Sequence, residues 1–533
     1  MGPTWAWALL VVILLTAARD RFRLPQTPFA DPDTWTYLRP GLAQVLGEGF
    51  QHSLGQSFLY PAFLEMVMRG GRDLRWVCAT QHALGLAGGA LLFLAWCRAG
   101  IFFPALRGGR EALYLGLGLL VVLEEQFSLS LIQFEHALRP EALFAPFAAL
   151  QVWLLLEFSR ARWLESRPRA ALLSGIGAVF VSGVLFFLKP AVGLALIPAN
   201  LPVVLSLLTS GMSPGRKAVL VAAPALALLF LLFIPEWRLR RSDPEASAFL
   251  PETLFTVHAN LILQQMTEDL ADGASVPYPH DWLVQVCASL RRELARSAAP
   301  AERPYPSLGF NPDYLKSGDS IILQLRKYWR NDTRPLAAFC SYYYWRTVAH
   351  HPAAMAGKVL RQLGVFYGQR FCRVYHAPKR YPLAQAYKKS VLAFAPSSLE
   401  KMDRYPPTRA YLRQCEALRR RADLPVLGRS RAYLNLNGIF ARAYLPLGLG
   451  WLALLLAGFW WKVSLRPAVL VILWLHAYSF GINLTLATTH SLDVTRYSQN
   501  QLVFLVLAEG FTAALFLDVL WAAVRGRRLV REA

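Results

Sequence analysis

Apolar runs long enough to cross a hydrocarbon core of about 30 Å recur along the chain, separated by polar or proline-containing breaks. Ten are read: roughly Pro3 to Ala18, Trp76 to Cys97, Ala112 to Leu123, Glu141 to Phe158, Ala171 to Leu188, Ala191 to Leu208, Ala218 to Pro235, Tyr444 to Trp461, Ala468 to Leu486 and Leu502 to Val524. The third is short, and its end falls either before or beyond Glu124 and Glu125. Two stretches are too polar and too long for membrane loops, Arg19 to Arg75 and Glu236 to about Arg442. The expected architecture is an all-α polytopic membrane protein of about ten transmembrane helices with a large, mainly helical extracytoplasmic domain. Its parts are a membrane module over 1–235 with a first outer loop at 19–75, the outer domain over 236–442, and C-terminal helices with a basic tail over 443–533. Within the outer domain, Ile321 to Tyr344 carries apolar residues near helical spacing.

Composition moves the chain further toward the membrane class: 55% of it is hydrophobic, 17% is charged, and mean hydropathy is +0.32. Lys and Arg outnumber Asp and Glu by 56 to 34, a net charge of +22. Such an excess suits nucleic acid, anionic lipid or cytoplasmic loops, and its distribution decides among them. With a cytoplasmic amino terminus, fifteen Lys and Arg fall in short inner loops and the tail, and only Arg139, Lys189 and Arg496 in short outer loops. This bias sets the orientation and disfavours nucleic-acid binding. Arg19, Arg21 and Arg23 run against it, since they follow the first span on the outer side. A cleaved signal peptide is a weaker reading of that span, whose start lacks Lys and Arg. The expected location is multi-pass, in a bacterial inner or cell membrane, with the working face extracytoplasmic.

Cysteine and metal patterns add little. Cys287, Cys340, Cys372 and Cys415 lie in the outer domain, where an oxidising compartment allows one or two disulfides. No Cys-x-x-Cys or His-Glu-x-x-His pattern is present, so neither a cofactor nor a divalent metal has support.

Ionisable residues at membrane depth or its edge are costly, and each is a functional candidate. Four outer stretches hold them. Phe29 to Tyr37 places Asp31 and Asp33 on either side of Pro32, in a loop that lets a carboxylate project toward a membrane-facing site. The bland alternative is that Asp33 caps a helix starting near Thr34. Gln133 to Phe144 holds Glu141, either functional or merely an acidic first-turn residue favoured by the helix dipole. Lys189 sits in a tight turn between two spans, where it snorkels or binds an anion. His490 to Tyr497 contains Arg496, an anion ligand or a plain interfacial anchor. Four polar clusters at one membrane face describe a site better than scattered anchors.

One amino-terminal span, a first outer loop with Asp33-x-x-x-Tyr37, then Tyr60-Pro61 with Phe63-Leu64, resembles the GT-C glycosyltransferases. The resemblance is to the protein mannosyltransferase and aminoarabinose transferase kind, and it covers mainly the first 200 residues and the His490 to Tyr497 loop. It implies a membrane enzyme that moves a sugar from a polyprenyl-phosphate donor to a lipid, glycan or protein acceptor of the cell envelope. By matching position it implies that Asp33 is catalytic, with Asp31 second. Glu141, Lys189, Arg496, Tyr497, His490 and Tyr60 form the expected substrate-binding set. The outer domain carries no recognisable motif, so sugar and subfamily stay open.

A donor whose phosphate lies at the interface needs lipid-facing helices, a carboxylate and fixed positive charge at that depth, and the chain has all three. A general base contributes typically about 10²–10⁴-fold, and Lys or Arg stabilises charge growing on a phosphate leaving group. The rival reading is a transporter or lipid flippase, for which matching halves are common. The spans instead divide seven and three around the outer domain, with no internal repeat. A non-catalytic scaffold is a second rival, and it has no need of clustered charge at one face.

Overall fold

The computed structural model describes residues 3–532 apart from 52–55, 108–109, 244, 300–304, 317–319, 370, 377–378, 382, 422 and 457–465. The protein is all-α: among the described residues, β pairing is limited to two isolated bridges. Seven helices are long and apolar enough to cross a membrane: Arg75–Phe102, Glu141–Leu164, Pro168–Leu188, Pro214–Arg241, Arg431–Leu456, Arg466–Thr489 and Leu502–Val524. The number rises to nine if two bent pairs each make one span, Glu111–Gln126 with Leu129–His136 and Pro190–Ala199 with Leu201–Leu208. Length and composition thus support seven to nine spans where the sequence suggested ten. The remaining run, the first in the chain, lies in Thr4–Phe22, a helix of 19 residues whose end carries Arg19, Asp20 and Arg21. The short third run does continue through Glu124 and Glu125, to Gln126. Residues 457–461 of the expected eighth span, and Lys462, lie outside the described residues.

Burial sorts the spans. In Leu502–Val524, 78% of the most apolar stretch is enclosed by other helices, whereas in Arg431–Leu456 only 6% is. The first is a central strut, and the second leaves most of its surface to lipid.

The polar segments fold against one another. Thr34–Val45 and Leu59–Gly71 approach so closely that a Cβ at Gly41 would stand 2.8 Å from the Pro61 carbonyl oxygen. Their apolar residues Leu38, Leu42 and Leu64 share one core with Tyr387, Tyr411 and Leu427 from far along the chain. Residues 236–442 therefore contribute to three apolar clusters. Phe255 to Met355 build their own, Tyr381 to Leu427 join the first polar segment, and Phe366, Cys372 and Tyr375 join the core of the spans. The stretch Ile321 to Tyr344 is helical as expected, but broken into Ile321–Tyr328 and Thr333–His350. The break sits where Arg330 and Asn331 adopt φ of 51° and 65°, a left-handed backbone that no helix continues through.

Two sequence features acquire physical reasons. Arg21, which ran against the charge bias, is 1% exposed and forks onto Glu135 with hydrogen bonds of 2.7 and 2.9 Å. It is an internal ion-pair partner rather than a topogenic charge. Cys287, Cys340, Cys372 and Cys415 form no disulfide, and each is buried separately.

Candidate functional site

Two loops are stapled together by backbone. The Phe29 amide donates to the His136 carbonyl at 3.0 Å, and the Leu138 amide donates to the Phe29 carbonyl at 3.1 Å. The staple sets the loop of Asp31 and Asp33 beside the one that carries Arg139 and Glu141. The capping alternative for Asp33 can then be judged. Thr34–Val45 does begin one residue after Asp33, yet the Asp33 side chain makes no capping hydrogen bond. The turn is held by others: the Asp33 amide donates to Asp31 Oδ1 at 2.9 Å, and the Asp31 amide donates to Thr34 Oγ1 at 2.9 Å. With the local backbone satisfied, the Asp33 carboxylate points to distant partners.

Those partners are cationic. Arg496 donates to Asp33 Oδ2 at 2.9 Å, and Arg139 reaches the same oxygen at 3.4 Å. Arg139 also donates through Nε to Asp31 Oδ2, and lies 3.8 Å from Glu141 Oε1. Glu141 opens Glu141–Ser159 and accepts from Lys189 Nζ at 3.0 Å. Its second oxygen is buried without a hydrogen-bond partner. Lys189 lies 5.0 Å from the centre of the Tyr497 ring, and the Arg496 guanidinium lies 5.2 Å from it, so one aromatic ring serves two cations.

Burial grades the site. Asp33 has 42% of its side chain exposed, against 19% for Asp31 and 6% for Glu141. Asp33 is thus the most exposed of the three carboxylates, and the Lys189–Glu141 pair is the more deeply buried part of the cluster. Burial pulls the Lys189 ammonium below its ordinary value even though Glu141 opposes this. It pulls the Arg139 guanidinium down to about 10, again against Glu141. Three carboxylates and three cations cancel in formal charge, and each carboxylate lies within 4 Å of at least one cation.

The structure therefore brings together Asp31, Asp33, Glu141, Lys189, Arg496 and Tyr497. It does not bring Tyr60 or His490 into hydrogen bonds with them. Tyr60 is buried, edge-on to Tyr37, with its hydroxyl donating to Gln81 at 2.8 Å. His490 accepts from the Ser491 amide at 2.8 Å and packs against Tyr497 and Tyr305. Sequence reasoning missed Arg139 as a site residue, although it stands in the polar stretch that already singled out Glu141. Its bridging role depends on the Phe29–His136 staple, which no local pattern announces.

The loop that presents Arg496 is itself clamped. Lys358 donates to the carbonyls of Ala487 and His490 at 2.7 and 3.1 Å. Arg373 donates to those of Leu492 and Asp493, each at 3.0 Å. A cavity of about 200 Å³ opens beside the other loop, lined by Phe29, Asp31, Pro32, Gln133, Tyr381 and Lys389 among others.

No family model matches the chain, and no curated protein matches it. Among solved structures, that of ArnT from Cupriavidus metallidurans bound to undecaprenyl phosphate aligns at 14% identity. The alignment covers 96% of this chain and 78% of that one, with a TM-score of 0.31.

Proposed function

We propose that the protein is a membrane glycosyltransferase that moves a sugar from a polyprenyl-phosphate donor to a lipid, glycan or protein acceptor at the extracytoplasmic face, with inversion at the anomeric carbon. The observation that carries this reading is the half-exposed Asp33 carboxylate held between Arg496 and Arg139, 2.9 and 3.4 Å away. It is supported as well by the resemblance of the first outer loop, Asp33 to Tyr37, to that of GT-C enzymes.

In this reading the donor phosphate takes over hydrogen bonds that Asp33 now accepts from the two guanidiniums. That exchange frees an Asp33 oxygen beside the scissile bond. The acceptor hydroxyl attacks the anomeric carbon, its proton passes to Asp33, and the sugar–phosphate oxygen bond breaks. Polyprenyl phosphate leaves with one added negative charge, which Arg139, Arg496 and Lys189 compensate. Asp31 positions Arg139, Glu141 positions Lys189, and the cavity beside Asp31 is the approach for the acceptor.

The test is transfer of radiolabelled sugar by the purified protein from a panel of polyprenyl-phosphate sugars to lipid, glycan and peptide acceptors. Arg139→Gln should raise the donor KM by about tenfold or more, because a charge-assisted phosphate contact is lost. No transfer from any donor, with tight binding of polyprenyl phosphate and its movement between leaflets instead, would replace the enzyme by a lipid transporter.

A further inference from the structure

Away from the charged cluster, Cys78 and His82 stand one helical turn apart on Arg75–Ala99, and His136 closes the helix Leu129–His136 against them. All three side chains are wholly buried. Their ligand-capable atoms lie within 4.8 Å of one another. The Cys78 sulfur is 3.3 Å from His82 Nε2, close to the separation of two ligands on a tetrahedral zinc with bonds of about 2.0–2.3 Å.

The remaining atoms of both imidazoles are disposed as a metal site requires. His82 Nδ1 lies 2.8 Å from Glu135 Oε2, and Glu135 is fixed in turn by Arg21 at 2.7 and 2.9 Å. A carboxylate on the far nitrogen puts the proton on Nδ1 and leaves the Nε2 lone pair directed at the Cys78 side. His136 Nε2 is 3.0 Å from the Thr27 carbonyl oxygen and 3.3 Å from the Tyr387 hydroxyl, whose own proton goes to that same carbonyl; a proton on Nε2 then leaves the lone pair on Nδ1. That Nδ1 is buried and has no hydrogen-bond partner. A buried acceptor without a donor is rare, and a cation is what such an atom lacks.

The geometry points to a buried transition-metal site made by Cys78, His82 and His136, with zinc the metal that mixed sulfur and imidazole ligands favour. Binding converts the Cys78 thiol to a thiolate: one proton leaves, the sulfur bonds to the dication, and no electron moves. Lying three residues before Arg139, the site is a structural clamp that pins Arg75–Phe102 to the segment presenting Arg139 and Glu141. It stands apart from the sugar-transfer reading and does not depend on it.

The experiment uses the full-length protein in detergent, stripped with a chelator, then titrated with zinc or cobalt. Metal content is read by mass spectrometry, and thiolate ligation by the sulfur-to-cobalt charge-transfer band. Wild type should take up about one metal per chain and show the band. Cys78→Ser should abolish the band and weaken zinc binding by about tenfold or more, and His136→Gln should weaken binding comparably. Cys287→Ser, on a distant helix, should change neither. Should the cluster variants fail to fold, wild type alone decides. Less than about a tenth of an equivalent retained by wild type, or a band that survives Cys78→Ser, would overturn the site.

Discussion

Arg496 and Asp33 stand 463 positions apart and are joined by a 2.9 Å hydrogen bond. The last polar loop between spans thereby closes over the first one. Because the Asp33 side chain is not spent on capping its own helix, its loss should be felt in chemistry before stability.

Asp33→Asn keeps the shape of the side chain but cannot take up the proton. Turnover should fall by about 10² or more while binding of polyprenyl phosphate survives and the unfolding midpoint moves little. Asp31→Asn should cost less turnover and more stability, since Asp31 supports both the turn and Arg139. Turnover and melting measured on the same purified variants separate the two. A fully active Asp33→Asn protein would sink the assignment of the base.

The Lys189–Glu141 pair is buried, at 12% and 6% side-chain exposure. Lys189→Gln alone leaves a buried carboxylate short of its closest ammonium and should destabilise by about 3–5 kcal/mol. Lys189→Gln combined with Glu141→Gln should recover most of that stability without recovering donor affinity. Thermal unfolding with a donor titration checks both halves. Equal stability of the single and double variants would show that the pair is not coupled.

Lys358 is held down to about 7, mainly by burial and further by Arg361, and it stands near His258 and His490. Its ordinary value is 10.5, so between these two pH values the unfolded chain binds the proton and the folded chain does not. Stability contributed by this group should therefore rise with pH across that window, with a slope of at most about 1.4 kcal/mol per pH unit. Lys358→Met should flatten that part of the profile. Superimposable profiles of melting temperature against pH for the two proteins would refute it.

Orientation gives the last prediction. Single cysteines introduced beside Asp33 and beside Arg496 should react with an impermeant maleimide from the same side, and one beside Arg162 only after the membrane is opened. Labelling of the Arg162 position from outside without the other two would reverse the orientation, and labelling of all three from one side would overturn the topology.

The sequence alone determined the class and the long apolar helices, since an apolar run of membrane length is a property of consecutive residues. It also marked the four polar stretches, because charge at a membrane edge stands out locally. The bend at Gln126 and the break at Arg330 and Asn331 were not legible, since they turn on backbone geometry that many residue pairs adopt. Only the tertiary structure decided which charge meets which. Arg139 became the bridge between Asp31, Asp33 and Glu141 because two loops pair through Phe29 and His136. Tyr60, read as a substrate contact, was turned inward to Gln81. Cys78 and His82 share one helix, but His136 reaches them from another segment, so no spacing rule could show the cluster. Partnership of buried polar groups is settled by which chain segments exclude water together, and here those segments lie up to hundreds of positions apart.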